Sequence, residues 1–73
     1  MAFTSTLEIG QLIKFKPMQR HCEKYAIACS DGYGKITAVR FTKAKVFYDI
    51  IDDYYGLLFD NVDSCNVESL NNN

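Results

Sequence analysis

The fold is decided by residues 32–62, which read GYGKITAVRFTKAKVFYDIIDDYYGLLFDNV. This stretch holds most of the β-branched and aromatic residues of the 73-residue chain, and turn residues divide it at even spacing. Short runs of such residues between turn residues are typical of strands. We therefore predict three consecutive antiparallel strands, over residues 34–41, 44–51 and 56–61.

In the first of these strands the apolar residues switch from one face to the other along its length. Ile36 and Ala38 share one face, whereas Val39 and Phe41 share the other. A bulge or a strong bend near Ala38 would turn both Ile36 and Val39 toward one core, so we predict one of the two there.

A helix competes with the strand at residues 44–51. Five residues also fit helical spacing: Phe47, Ile50, Ile51, Tyr54 and Leu58. The strand is favoured because residues 46–51 are rich in β formers, and because Asp52 and Asp53 indicate a turn before Gly56.

The rest of the chain is predicted with less detail. Residues 12–16 form a first strand that Pro17 ends, and residues 62–65 form a helical or 3₁₀ turn before a last strand over 66–70. Residues 18–33 leave three alternatives: a short strand over 24–29, one arm of a long excursion loop, or about two helical turns over 19–28 with poor caps. Residues 1–6 are expected to be a mobile tail and residues 71–73 a frayed end.

Composition bounds the class of protein. With 48% apolar and 23% charged residues, the chain has the profile of one ordinary soluble domain. No apolar run approaches the length of a membrane span, and residues 1–10 lack the regions of a signal peptide. The cysteines, Cys22, Cys29 and Cys65, are odd in number, which argues against a disulfide framework and for a reducing, cytoplasmic location.

Two segments resemble SH3-like small barrels. Residues 56–70, GLLFDNVDSCNVESL, resemble the end of an SH3 domain, where a strand enters a 3₁₀ turn and then a last strand. Residues 11–15, QLIKF, follow Gly10 and resemble the first strand of such barrels. The resemblance implies a mainly β fold: a single SH3-like barrel over residues 7–70, with about five antiparallel strands and one short 3₁₀ turn near the C-terminus.

The chain departs from the peptide-binding members of that family. It has no Trp to wall a proline groove, and residues 19–24, QRHCEK, are mainly basic where those members have an acidic loop. Proline-motif recognition is therefore not expected. The chain is also similar to small uncharacterised proteins of marine tailed phages, some of which carry a comparable Lys-Val-Tyr-Tyr-Asp run. That similarity implies no known activity, and it would place the protein in a host cytoplasm or a virion.

Candidate catalytic and metal-binding residues do not form a recognisable set. His21, Cys22, Cys29 and Cys65 lack the spacing of a structural zinc site, and adjacent His21 and Cys22 are not an assembled nucleophile pair. A carboxylate group, Asp49, Asp52, Asp53 and Asp60, is interpreted as a solvated turn. The SDGYG cluster at 30–34 lacks the lysine and glycine spacing of a phosphate loop. We expect no enzyme, no metal, no cofactor and no membrane partner.

The hairpin within residues 44–61 is apolar on both faces. If Val46, Tyr48, Ile50 and Leu58 fill the core, five residues face outward: Phe47, Ile51, Tyr55, Leu57 and Phe59. Such a patch would be large enough to mark an interface. We therefore predict a non-enzymatic interaction or assembly module that uses this outer hairpin face to bind another protein or a second copy in a homo-oligomer.

A small nucleic-acid-binding barrel is the alternative. Four cations, Lys35, Arg40, Lys43 and Lys45, lie among Tyr33, Phe41 and Phe47, as phosphate contacts and base stacking require. Residues 1–45 hold all eight Lys and Arg against three acids, and residues 46–73 hold six acids and no Lys or Arg. The net charge of −1 and the pI of about 5.6 count against nucleic acid, since such domains are usually basic.

Overall fold

A computed structural model describes residues 7–70 as one five-stranded antiparallel sheet with a short helix. Chain order gives the elements as β1 (Leu12–Phe15), α1 (Gln19–Tyr25), β2 (Gly32–Phe41), β3 (Val46–Asp52), β4 (Leu58–Asp63), a 3₁₀ turn η1 (Ser64–Asn66) and β5 (Val67–Ser69). The strand order across the sheet is β4-β3-β2-β1-β5. The mainly β class, the five antiparallel strands and the 3₁₀ turn are confirmed; the predicted tails at 1–6 and 71–73 lie outside the described residues.

The sheet is open rather than closed. Its two edges are β4 and β5, and β5 pairs only with β1, through Ile13, Lys14 and Phe15. The central β2 is the longest strand, pairing with β1 by its first half and with β3 along most of its length. Because strands twist, a sheet built around one long strand can curve around a core even though its two edge strands do not pair with each other.

Two irregularities shape the sheet. The register between β2 and β3 shifts between Ile36 and Ala38, and Val39 beyond the shift packs against the same core as Ile36. The predicted bulge is therefore confirmed. A second shift lies in the β3–β4 pairing, where Asp60 and Asn61 together oppose Asp49. Asn61 has a φ of 49°, a left-handed conformation that asparagine tolerates better than most residues.

The core is built from alternate residues of four strands and contains three aromatic rings. Its members are Ile13, Phe15, Ile36, Tyr48, Ile50, Phe59 and Val62. Phe15 and Phe59 meet edge to face with ring centroids 5.1 Å apart. The strand prediction for β3 is confirmed and the competing helix is wrong, because Tyr48 and Ile50 share the buried face by a period of two.

The predicted inward and outward assignment of β4 is wrong. Phe59, predicted to face outward, is 1% exposed, whereas Leu58, predicted to fill the core, is 44% exposed. Leu57, also predicted to face outward, packs partly against the core. β4 begins at Leu58 rather than at residue 56, so residues 56 and 57 belong to the turn and do not set the alternation of the strand. The pairing with β3 sets the faces instead: Phe59 lies opposite buried Ile50 and Leu58 opposite Ile51, one residue away from the predicted register.

Residues 19–25 form the helix α1, so the strand alternative over 24–29 is wrong. Met18 at the N-cap makes no side-chain capping bond, and the helix ends at Ala26, which is left-handed with a φ of 55°. A seven-residue helix without a side-chain cap has little stability of its own. It depends on the contacts that it makes with the rest of the protein.

The helix α1 covers the outer edge of β4. The Arg20 guanidinium donates hydrogen bonds to the carbonyl oxygens of Asp60 (2.8 Å) and Asn61 (3.1 Å), and the Tyr25 hydroxyl donates to the carbonyl oxygen of Leu58. An edge strand whose carbonyls are occupied by side chains cannot easily pair with another chain. This arrangement counts against assembly through the β4 edge.

A disulfide joins Cys22 of α1 to Cys29 in the loop before β2, with the two Cα atoms 5.6 Å apart. The argument from the odd number of cysteines against a disulfide is therefore wrong, because the helix brings together two cysteines seven residues apart. Cys65 is the free cysteine and is exposed. Disulfides are uncommon in a reducing compartment, so this bond argues against the predicted cytoplasmic location. The location stays a prediction.

Candidate functional site

A cleft of about 580 Å³ lies at one end of the sheet. Phe15 and Phe59 form part of its lining from the core side. Three tyrosines and three aspartates contribute most of its aromatic and charged groups: Tyr33, Tyr54, Tyr55, Asp31, Asp52 and Asp53. We call this feature the aromatic–acidic cleft. Its volume lies within the range of protein ligand pockets.

Local pairing brings the two walls of the cleft together. Gly34 lies opposite Asp52 in the β2–β3 ladder, and the Asp53 N–H donates to the Tyr33 carbonyl oxygen at 2.8 Å. These bonds place the beginning of β2 beside the β3–β4 turn. The turn itself closes with a 2.9 Å hydrogen bond from the Gly56 N–H to the Asp52 carbonyl oxygen. Residues 30–34 and 52–56 are far apart in the sequence, and the fold makes them neighbours.

The tyrosine rings of the cleft are open to solvent. Tyr33 is about half exposed, and Tyr54 and Tyr55 pack edge to face with centroids 4.7 Å apart while both stay exposed. Exposed aromatic rings around a concave surface provide large contact area at low cost in side-chain entropy. They also present electron-rich faces that attract cations.

Asp52 is the most informative polar group of the cleft. It is 5% exposed, and its Oδ2 accepts a hydrogen bond from the Tyr55 N–H. Within residues 7–70 its Oδ1 has no hydrogen-bond partner. A Cβ atom on Gly32 would lie 3.2 Å from this Oδ1, so the oxygen is directed toward Gly32, which also lines the cleft. A nearly buried carboxylate with one oxygen free is a site where a donor would be stabilised.

The other two carboxylates increase the negative charge of the cleft. Asp31 is 3.6 Å from the Lys14 ammonium in an exposed pair, and such pairs contribute little. Asp53 is exposed and makes no side-chain bond to another residue in the described part of the chain. The cleft therefore combines exposed aromatic faces with carboxylates that have few cationic partners of their own.

The five residues of the predicted interface do not form one outward face. Phe47 and Ile51 are half-buried on the outer side of β3, and the ion pair between Arg40 and Asp49 lies between them in the sheet. Tyr55 and Phe59 line the aromatic–acidic cleft instead, and Leu57 belongs partly to the core. The patch predicted from the sequence is therefore divided, and part of it contributes to a different surface.

Two of the four cations predicted to bind nucleic acid have carboxylate partners. Arg40 contacts Asp49, and the Lys45 ammonium lies 2.8 Å from Asp63. Lys35 and Lys43 are exposed, on β2 and in the β2–β3 turn. A cation that already has a partner must give it up to bind a phosphate, so the arrangement weakens the nucleic-acid alternative.

These pairs also perturb the carboxylates. The hydrogen bond from Lys45 lowers the pKa of Asp63 to about 2, assisted by the Cys65 N–H. Burial alone would raise the pKa of Asp49, but hydrogen bonds from Arg40 and the Asn61 N–H bring it below its ordinary value. Both groups stabilise the β3–β4 region and neither lines the aromatic–acidic cleft.

The candidate catalytic and metal residues are placed in structural roles. Cys22 is in the disulfide and cannot be a thiolate nucleophile, so it forms no reactive pair with His21. His21 is buried, its Nε2 lies 3.0 Å from Asp60 Oδ1, and its ring packs against Phe59. Within residues 7–70 no three His, Cys, Asp or Glu side chains are arranged to hold a metal ion.

The carboxylates interpreted as a solvated turn are not all solvated. Asp49 and Asp52 are both buried, Asp60 is half-buried and only Asp53 is exposed. The signal that would have indicated the cleft was the sequence Asp52-Asp53-Tyr54-Tyr55, which combines acidic and aromatic residues in one turn.

Comparison with known proteins assigns the chain to no family. No family model, no curated protein and no solved structure matches the chain, so its function is inferred from the geometry of the cleft. The helix within residues 7–70 is too short to cross a membrane.

Proposed function

We propose that the protein is a non-enzymatic interaction module that binds a short positively charged segment of another protein in the aromatic–acidic cleft. The observation that carries the proposal is the carboxylate of Asp52, a nearly buried residue with its Oδ1 free of hydrogen-bond partners within residues 7–70, in a cleft lined by three exposed tyrosines. The general class agrees with the prediction from sequence, and the surface differs from the predicted hairpin face.

The chemistry of the cleft selects for a cation. An arginine or lysine side chain could donate to Asp52 and lie against a tyrosine face, and a cation over an aromatic ring contributes about 0.5–2 kcal/mol. The protein already contains such a contact, since the Lys24 ammonium lies 5.3 Å from the Tyr25 ring centroid. A phosphate or a carboxylate would instead meet the repulsion of three aspartates.

The shape of the cleft fits part of a chain rather than a folded surface. A volume of about 580 Å³ holds a long side chain with flanking backbone. An extended segment could place its cation beside Asp52 while neighbouring apolar groups contact Pro17 and Ile27 at the rim. Charge and apolar contact together would give a specific but weak complex.

The proposal is tested with a fluorescein-labelled Gly-Ser peptide that carries one central arginine, measured by fluorescence anisotropy. Matched peptides carry lysine, norleucine or glutamate at the same position. We expect arginine and lysine to bind, and norleucine and glutamate to bind at least about tenfold more weakly, because they lack the charge that pairs with Asp52. Equal binding of all four peptides would contradict the proposal.

Variants locate the binding surface. Asp52→Asn keeps the Oδ atom that accepts from the Tyr55 N–H but removes the charge, so we expect arginine affinity to fall about tenfold without loss of fold. Tyr54→Ala removes an exposed ring and should lower affinity about threefold. Ile51→Ser on the outer face is the control and should leave affinity unchanged. A larger effect from Ile51→Ser than from Asp52→Asn would favour the hairpin face.

A single-stranded oligonucleotide serves as the counter-probe for the alternative function. Binding that is lost with added salt and abolished by Lys35→Glu would support the nucleic-acid alternative, because phosphate contacts release counterions. The proposal expects no such binding.

A further inference from the structure

The disulfide between Cys22 and Cys29 is located where it can control the aromatic–acidic cleft. Between the two cysteines lie Ile27 and Ala28, which form part of the cleft wall. Cys22 is nearly buried in α1, whereas Cys29 is exposed to solvent. The bond therefore connects a docked helix to a surface loop that borders the proposed binding site.

The helix end of this bond is held independently of the disulfide. His21 is buried against Phe59, and Arg20 and Tyr25 donate hydrogen bonds to the carbonyls of β4. These contacts would remain if the disulfide were broken. Neither cysteine lies in a strand, and the hydrophobic cluster between the strands does not include them.

The loop end has few other attachments. The last backbone hydrogen bond before β2 is from the Ile27 N–H to the Cys22 carbonyl oxygen, at 3.0 Å. Ile27 packs partly against the core, but within the described chain no backbone hydrogen bond holds residues 28–31, whose other attachment is the exposed Lys14–Asp31 pair. A segment with few hydrogen bonds opens at low free energy, so the disulfide is the main constraint on residues 28–31.

We propose that reversible reduction of Cys22–Cys29 switches the aromatic–acidic cleft between an ordered and a loosened state. The predicted effect on binding rests on the proposed function, whereas the predicted effect on the loop does not depend on it. Exposed disulfides are more readily reduced than buried ones, and Cys29 of this bond is exposed to solvent.

The reductant is a dithiol. Its thiolate attacks the sulfur of exposed Cys29, forming a mixed disulfide and releasing Cys22 as a thiolate that takes up a proton. The second thiolate of the reductant then attacks its own sulfur in the mixed disulfide, closing the oxidised dithiol and releasing Cys29, which is protonated in turn. Two electrons pass to the protein, the reductant is oxidised by two, and the protein gains two protons.

Reduction should affect the loop and leave the sheet. The loop would recover the freedom that the cross-link removed, and a ligand would then have to order it again on binding. We expect hydrogen exchange of the Ile27 amide, which donates to the Cys22 carbonyl oxygen, to accelerate by about tenfold or more with dithiothreitol, and exchange in β2 and β3 to change little.

The experiment compares hydrogen exchange and arginine-peptide affinity for the oxidised protein, the protein in dithiothreitol and the Cys22→Ser/Cys29→Ser variant. Affinity should fall about tenfold in the second and third samples, and the variant should not respond to dithiothreitol. Cys65→Ser is the matched control, because it removes an exposed cysteine outside the disulfide and should respond as the wild type does.

Three outcomes would overturn the inference: unchanged exchange of the Ile27 amide on reduction, unfolding of the whole sheet on reduction, or equal affinity in both states. If neither state binds the peptide, the proposed function fails, and the exchange rates alone then decide whether the disulfide controls the loop.

Discussion

Gly34→Ala tests the close approach of β2 and β3. A Cβ atom on Gly34 would lie 2.9 Å from Ile50 Cγ2 and 3.0 Å from the Ile51 carbonyl carbon, and it would clash directly with the Ile51 carbonyl oxygen. The obstacle is backbone in the centre of the sheet, so no rotamer change relieves it. The two strands would have to separate by roughly 1 Å, which is a severe form of overpacking.

The magnitude follows from two contributions. Overpacking of a well-packed interior costs about 1–3 kcal/mol, and weakening the adjacent ladder hydrogen bonds adds about 1 kcal/mol. The lower backbone entropy of alanine in the unfolded chain offsets about 0.5–1 kcal/mol. We therefore expect Gly34→Ala to lose about 3 kcal/mol, which corresponds to a fall in Tm of about 12–24 °C for a domain of this size.

Gly32→Ala is the matched control for this measurement. It makes the same substitution two residues earlier on the same face of β2, and its Cβ would meet only the Asp52 side chain at 3.2 Å and the Phe15 ring at 3.5 Å. Both substitutions lower the backbone entropy of the unfolded chain by the same amount, so the difference in urea midpoint between the two variants reports the clash with β3. Equal stability of the two variants would refute the register of β2 against β3.

Three further predictions test other parts of the fold. Phe59→Ala should cost about 3–5 kcal/mol in urea unfolding and Leu58→Ala less than about 1 kcal/mol, and the reverse order would restore the original assignment of β4. Because hydrogen bonding to Lys45 lowers the pKa of Asp63 to about 2, its stabilisation is present above about pH 4 and lost as pH falls toward 2. The urea midpoint of the wild-type protein should therefore fall over this pH range, and Asp63→Asn should make the fall smaller. An equal fall in wild type and variant would show that the Lys45–Asp63 pair does not cause it. Arg20→Ala should uncover the β4 edge and produce concentration-dependent association by light scattering, whereas a variant that stays monomeric at every concentration would show that the edge needs no cover.

The strand content of the protein could be predicted from the sequence because it depends on local pattern. Alternation in 46–51 distinguishes the strand from a helix, and the change of phase around Ala38 predicts the bulge that the β2–β3 register shows. The 3₁₀ turn after β4 likewise has a local signal in Asp63, whose side chain accepts from the Cys65 N–H.

The assignment of faces on β4 could not be predicted because it depends on where the turn ends. Gly56 takes a left-handed φ of 71°, and the strand begins only at Leu58. The second bulge, opposite Asp49, then changes the alternation again before Val62. Both features are set by pairing with β3, which the sequence of β4 alone does not reveal.

The disulfide and the cleft were missed for a related reason. Cys22 and Cys29 meet because a short, poorly capped helix forms between Met18 and Ala26, a choice that tertiary contacts with β4 determine. The cleft combines residues from β1, the loop before β2 and the β3–β4 turn. Each segment has an ordinary composition for a turn, and only the fold places their tyrosines and aspartates around one cavity.

The central claim is that a cationic segment binds beside Asp52, and amide chemical-shift mapping tests it most directly. The oxidised protein, labelled with ¹⁵N, is titrated with the arginine peptide and with its norleucine counterpart. The claim predicts saturable shifts at Gly32, Tyr33, Asp53 and Tyr55 with arginine only. Shifts confined to Phe47 and Ile51 on the outer face, or identical shifts with both peptides, would contradict it.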